Sequence, residues 1–212
     1  MFSHKELCEL ALRWLKRPNS RSGPGCDVAL SECRTGWDGE VPDAIGFRTS
    51  APHAGSVLVE VKTSRSDFLA DKNKPHRQSG GVGDWRYYMA PEGVLSITDM
   101  PDKWGLLEVN KRGHIKIRKG LALHHKNYGQ MKDQAPQWQF ADVDRAREQF
   151  LLVRVLANTD PQKTLDYTRS ISNAHAALVR QLDSIAMSLG LPEGSSSYSI
   201  QNRIEMMGAA NA

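Results

Sequence analysis

The segment Val57 to Lys62 constrains this chain more than any other stretch of it. Side chains alternate across an extended strand, so Val57, Val59 and Val61 fall on one face and Leu58, Glu60 and Lys62 on the other. The β-branched valines call for an apolar layer on their side. A carboxylate and an ammonium on the opposite side, two residues apart, are costly to bury unless they pair or bind something. The segment therefore reads as a strand inside a sheet that carries a polar site on one face.

The flanking sequence supplies the rest of a layered fold. Ser3 and Glu6 have capping-box spacing, and Leu7, Leu10, Ala11 and Trp14 repeat at helical intervals, which predicts a helix over Ser3 to Lys16. Pro18 and Asn19 end it, and Arg17 to Gly25 reads as a loop. Cys26 to Cys33 and Val41 to Arg48 are expected strands, with a longer hairpin loop over Thr49 to Ser56 before the Val57 strand. Ser64 and Asp67 cap a helix starting at Ser66 and running to Asp71, and Gln78 to Gly83, with three glycines, is expected to be flexible.

Trp85 to Met89 and Val94 to Thr98 read as strands separated by the turn Pro91, Glu92 and Gly93. Leu106 to Val109 and His114 to Ile117 read as a hairpin around Asn110 to Gly113. Helix, three strands, helix, strand is the order of an α/β or α+β layer with helices packed on a sheet. From Asp142 the pattern turns helical, with Phe150, Val153 and Leu156 on one face. Pro161 separates this from a second helix over Thr164 to Leu189. After Pro192 a Gly- and Ser-rich tail is expected to be loose apart from a short helix near Ile200 to Met207.

Composition narrows the class without naming a partner. With 212 residues, 40% hydrophobic and 25% charged, the chain has the make-up of a soluble globular protein. Its longest apolar runs fall short of the roughly 20 residues of a membrane span, and the charged start lacks the apolar core of a secretory signal. A cytoplasmic location without membrane contact is expected. Cys8, Cys26 and Cys33 form no Cys-x-x-Cys pair and read as buried free thiols. A net charge of +4 is compatible with a nucleic-acid partner but does not demonstrate one.

The chemistry gathers around the Val57 strand. Asp43 follows Pro42 in the preceding strand, and a hairpin could bring its carboxylate beside that of Glu60. Two carboxylates can share a cation. Magnesium takes hard oxygen ligands and keeps several waters, so Asp43, Glu60 and the Val61 carbonyl would leave positions for phosphate and water. The ion would activate a water, and Lys62 would orient that water or neutralise the phosphate.

Pro42-Asp43 followed by Glu60-Val61-Lys62 resembles the PD-(D/E)xK signature of restriction-endonuclease-like nucleases, over roughly Ser3 to Pro91. The resemblance implies a restriction-endonuclease-like core of helix, three strands, helix and strand with a mixed sheet, here followed by a C-terminal helical extension. It implies a nuclease-like domain over residues 1–140, the extension over 141–190 and a loosely ordered tail over 191–212. It further implies DNA as substrate, phosphodiester hydrolysis as reaction, and magnesium as cofactor, for which manganese can substitute. The run from Val59 to Lys72, with Ser64, Asp67, Phe68 and Asp71, together with Arg86, Tyr87 and Tyr88, is similar to the MmcB-like group of small bacterial DNA-repair proteins. Phage genomes carry proteins of the same general look, and a nuclease fold can also persist as an inactive module that binds nucleic acid or a protein partner.

Around this set lie secondary candidates. Lys72, Lys74 and Arg77, with His76, form a basic cluster that could hold phosphates; a solvated surface is the bland alternative. Glu32 at the end of the first strand and Ser64 at the helix start could approach the cleft, although a strand-end carboxylate and a capping hydroxyl explain them equally. Trp85, Tyr87 and Tyr88 could stack on unpaired bases, but aromatics in a strand are more often core. Adjacent His124 and His125 read as surface residues. The C-terminal helices could form a homodimer face, seat a protein partner, or cover one side of the sheet.

Overall fold

The computed structural model describes residues 2–49, 54–123 and 128–210. Helix α1 spans His4–Lys16. The side chain of Ser3 accepts from Glu6 N while the Glu6 carboxylate accepts from Ser3 N, so the expected capping box forms. Leu7, Leu10, Ala11, Trp14 and Leu15 of this helix are buried.

Among the described residues one six-stranded sheet follows, in spatial order β1-β2-β3-β4-β5-β6. The strands are β1 (Val28–Ser31), β2 (Ala44–Arg48), β3 (Gly55–Val61), β4 (Trp85–Pro91), β5 (Trp104–Val109) and β6 (Ile115–Lys119). β1, β2 and β3 form an antiparallel meander, β3, β4 and β5 run parallel, and β6 returns antiparallel. The sheet is therefore mixed, in an α/β arrangement. Between β3 and β4 the chain crosses over through the short helices α2 (Arg65–Asp71) and α3 (Pro75–Gln78).

Alternation along β3 divides the core as its sequence requires. Val57, Val59 and Val61 pack with Leu7, Ala11 and Trp14 of α1. Leu58, on the other face, packs with Phe68 of α2, Tyr88, Trp104 and Leu106. Burying one such aliphatic side chain is worth about 1.5–3 kcal/mol; the two faces together fix the register of β3, because a one-residue slip would exchange them. Trp104 stacks on Tyr88 at 4.3 Å between ring centroids, and Trp14 meets Tyr87 edge-on at 5.3 Å.

Several expectations need correction. The first strand is shorter than Cys26 to Cys33; Glu32 lies beyond its end with φ 51°. Val94 to Thr98 is not a strand: Leu95 is buried in a loop, and Ile97–Asp99 forms a 3-10 turn because Ser96 and Asp99 cap each other. The glycine-rich stretch is tied down rather than loose. Arg86, fully buried on β4, donates to the carbonyls of His76, Gly80, Gly81 and Gly83, and Gly80 N donates to Asp142 at 2.7 Å. Glycine is required there: Gly81 has φ 73°, and a Cβ on it would lie 2.6 Å from the His76 carbonyl. His124, His125 and much of the β2–β3 loop lie outside the described residues.

The chain divides into two compact units, Met1–Arg154 and Val155–Ala212. The first includes helix α4 (Tyr128–Trp138), a polar stretch without apolar periodicity, and most of helix α5 (Arg145–Ala157). α5 is anchored to the sheet by charge: Arg145 forks onto Asp84 at 2.6 and 2.8 Å, and Glu148 accepts from Gly83 N and Ser56 Oγ. The second unit holds α6 (Pro161–Ser188), capped by the Asp160 side chain, and α7 (Ser197–Ala210). α7 is a 14-residue helix that contains and extends the short helix expected near Ile200 to Met207; Gly194 N donates to Asp183, and Arg203 to the Leu189 carbonyl.

Candidate active site

The register of β2 on β3 sets the first half of the site. Ala44 faces Val59, which carries the preceding Asp43 to the position opposite Glu60. Pro42 is buried behind it. Val61 N donates to Asp43 Oδ2 at 2.7 Å, whereas Lys62 N, one residue on, donates to the Met89 carbonyl of β4 at 2.8 Å. An extended residue sends its N–H and C=O to the same side, so the Val61 carbonyl also faces the Asp43 side. The other carboxylate oxygen, Oδ1, lies 3.2 Å from His4 Nε2, at the start of α1. His4 Nδ1 in turn lies 3.5 Å from Cys8 Sγ, one helical turn further along.

The second half is a buried ionic network on the face of β3 that carries Leu58, Glu60 and Lys62, away from the valines. Glu60 Oε2 accepts from Arg77 at 2.6 Å and lies 3.9 Å from Lys62 Nζ. Asp71, at the end of α2, lies 3.5 Å from Lys62 Nζ, 3.0 Å from Arg77 Nε and 2.7 Å from Lys74 Nζ, and accepts from Tyr88 Oη. Glu40 completes it, 3.2 Å from Arg77 and accepting from Val82 N. Three carboxylates thus face three cations, with His76 3.7 Å from Glu40 at the rim.

One atom is left over. Glu60 Oε1 is buried and has no hydrogen-bond partner among the described residues. A buried carboxylate oxygen without a donor costs about 1–3 kcal/mol or more, and such orphans in native folds often mark an ion or water. Burial pushes the Glu60 carboxyl up to about 8; Arg77 and Lys62 pull it down, while Asp43 adds to the rise. Asp71 is also raised by burial, but Arg77 and Lys74 outweigh this and hold it well below the ordinary carboxylate range. Burial and the Asp43 charge push the Cys8 thiol up to about 12.

Asp43, Glu60 and Val61 therefore stand at one sheet end with two carboxylates and a carbonyl, the hard-oxygen set that suits magnesium. The orphaned Oε1 and the partly buried Asp43 fit such an ion. Lys62 is held inside the network rather than extended to solvent.

The secondary candidates separate. Lys72 and Lys74 lie on the rim of the crossover, Lys72 above the Phe68 ring and Lys74 on Asp71. Arg77 does not belong to that surface: it is 4% exposed and spent on internal pairs, because the short α3 turns it under the crossover. Ser64 accepts from Asp67 N as the cap of α2. Glu32 is exposed past β1. Trp85, Tyr87 and Tyr88 are buried, Tyr87 Oη donating to the Leu121 carbonyl, so they are core and not a stacking platform. Sequence reasoning missed His4, Cys8 and Glu40. The i, i+4 spacing of His4 and Cys8 on a predicted helix was a usable signal; Glu40 sits in an irregular segment and offered none.

No family model matches the chain, and no curated protein matches it. A protein of unknown function from Silicibacter pomeroyi, SPO1766, is a structural neighbour with 17% identity and a TM-score of 0.39, covering 64% of this chain and 81% of that one. Among the described residues no helix is long and apolar enough to cross a membrane.

Proposed function

We propose that the protein is a metal-dependent nuclease of the PD-(D/E)xK type that hydrolyses DNA phosphodiester bonds, in DNA repair or in phage or defence DNA processing. The observation that carries this reading is the orphaned Glu60 Oε1, buried opposite Asp43 on a strand pair whose next carbonyl, that of Val61, faces the same way. Asp43, Glu60 and Val61 would hold a magnesium or manganese ion. When bound, the ion supplies a polarised water and charge stabilisation on the phosphate.

The chain's own residues have definite tasks in this reading. Val61 N–H donates to Asp43 Oδ2 at 2.7 Å, which fixes the carboxylate and leaves a lone pair of that oxygen free, while Oδ1 lies beside His4 Nε2. Lys62 supplies a compact positive charge beside Glu60, suited to a phosphate oxygen or to holding a water. Asp71, which accepts from Tyr88 Oη, orients Lys62 from behind.

A second reading is favoured by one observation. Arg77 already neutralises Glu60 at 2.6 Å, so the fold could persist as a nucleic-acid or partner-binding module without catalysis. Manganese titration of the full chain, read by the loss of its free-ion resonance signal, separates the two. The nuclease reading expects saturable binding that Asp43→Asn abolishes with the melting temperature preserved. Absence of manganese binding in the wild type supports the inactive module.

A further inference from the structure

A second metal chemistry lies on the other side of Asp43. His4, Cys8 and Asp43 each present a ligand atom, and these three atoms all lie within 4.8 Å of one another. They come from two elements whose relation the core fixes. His4 and Cys8 sit one turn apart on the same face of α1, and Leu7, Ala11 and Trp14 lock that helix against β3. Asp43 is fixed by its bond from Val61 N. The set is thus held by packing rather than by flexible loops, which is what a preorganised site needs.

We propose that His4, Cys8 and Asp43 form a binding site for a borderline-soft divalent ion of the zinc class, distinct in chemistry from the hard-oxygen site of Asp43, Glu60 and Val61. An imidazole nitrogen and a thiolate sulfur suit zinc or cobalt and do not suit magnesium. Three protein ligands leave a fourth position open in a tetrahedral site. The inference is independent of catalysis, since it stands on the ligand set alone.

The charges balance. Binding exchanges the Cys8 thiol proton for the metal–sulfur bond and releases that proton to solvent; thiolate and carboxylate then neutralise the ion, with His4 neutral. A coordinating thiol gives up its proton outright to such an ion, so the high apo value set by burial does not prevent ligation. Cys8 is 3% exposed, whereas the His4 side chain is 45% exposed and Asp43 partly so, which makes the His4–Asp43 edge the entry path. Because Asp43 serves both sets, a zinc-class ion would withdraw it from the hard-oxygen site.

Cobalt titration of the full-length protein is the test. The expected result is a thiolate-to-cobalt charge-transfer band saturating at one equivalent, bleached by one equivalent of zinc and untouched by a large excess of magnesium. His4→Ala, an exposed position, should weaken cobalt binding at least tenfold; Cys8→Ser should remove the band. Cobalt binding with no thiolate band overturns the proposal, and so does a band that survives Cys8→Ser but disappears when Cys33 is replaced. Should Cys8→Ser fail to fold, His4→Ala decides alone: unchanged cobalt affinity refutes the site. None of these readings depends on whether the protein cuts DNA, so loss of the nuclease reading and loss of this one are separable.

Discussion

Replacing Arg77 with Met isolates what the buried network contributes. Arg77 is 4% exposed and lies 2.6 Å from Glu60, 3.0 Å from Asp71 and 3.2 Å from Glu40. Met fills much of the same volume but leaves Glu60 with Lys62 at 3.9 Å, Asp71 with Lys62 and Lys74, and Glu40 with His76 at the rim. Removing one partner of a buried ion pair costs about 3–5 kcal/mol. For a chain of this size that corresponds to a drop in melting temperature of roughly 6–20 °C. The double variant Arg77→Met/Glu60→Gln removes the stranded charge as well and should recover about 1–3 kcal/mol of the loss. Urea unfolding of the wild type, both single variants and the double variant measures this coupling. Manganese should raise the melting temperature more in Arg77→Met than in the wild type, since the freed Glu60 is then available to the ion. An Arg77→Met protein within 1 kcal/mol of the wild type, or a double variant no more stable than Arg77→Met, refutes the reasoning.

Other positions test other parts of the account. Burial pushes the Asp84 carboxyl up, but the Arg145 fork and the Ser56 N–H more than reverse this and hold it below its ordinary value. Its contribution to stability is therefore present above the usual carboxylate range and lost as pH falls through the lowered value. The stability gap between wild type and Asp84→Asn, followed by thermal melts from neutral to acid pH, should narrow towards the acid end. At Gly105 a Cβ would lie 2.3 Å from the Tyr87 ring and 2.9 Å from the Lys119 carbonyl; Gly105→Ala should cost about 1–3 kcal/mol in urea unfolding. Tyr88→Phe removes the Oη bond to Asp71 without opening a cavity, and about 0.5–1.5 kcal/mol of stability should go with it, measured the same way.

How far the sequence could be read depended on whether a residue's role was local. The valine alternation of β3 and the Ser3–Glu6 capping box act within a few residues, and both predicted elements are present. The pairing of β2 with β3, which sets Asp43 opposite Glu60, follows from one hairpin and was equally legible. Arg77 was misplaced on the surface because its partners Glu40 and Glu60 are distant in sequence and meet it only through the crossover. The same holds for Arg86: nothing near it in sequence announces that its guanidinium will organise the glycine loop. Pro136 hid α4, since a proline inside a short polar stretch reads as a break. α7 lacks a clear apolar stripe, so only a short helix near Ile200 to Met207 was legible, whereas the full element runs Ser197–Ala210 and forms a hairpin with α6.

The central claim is that Asp43, Glu60 and Lys62 act together in hydrolysing DNA, and cleavage itself tests it most directly. Labelled single-stranded, duplex and branched DNA would be incubated with the wild type and with Asp43→Asn from the same purification, each with magnesium, manganese or a chelator. The account predicts cutting of at least one substrate by the wild type with either metal, none with chelator, and none by the variant. Cutting retained in Asp43→Asn, or unaffected by chelation, would contradict it.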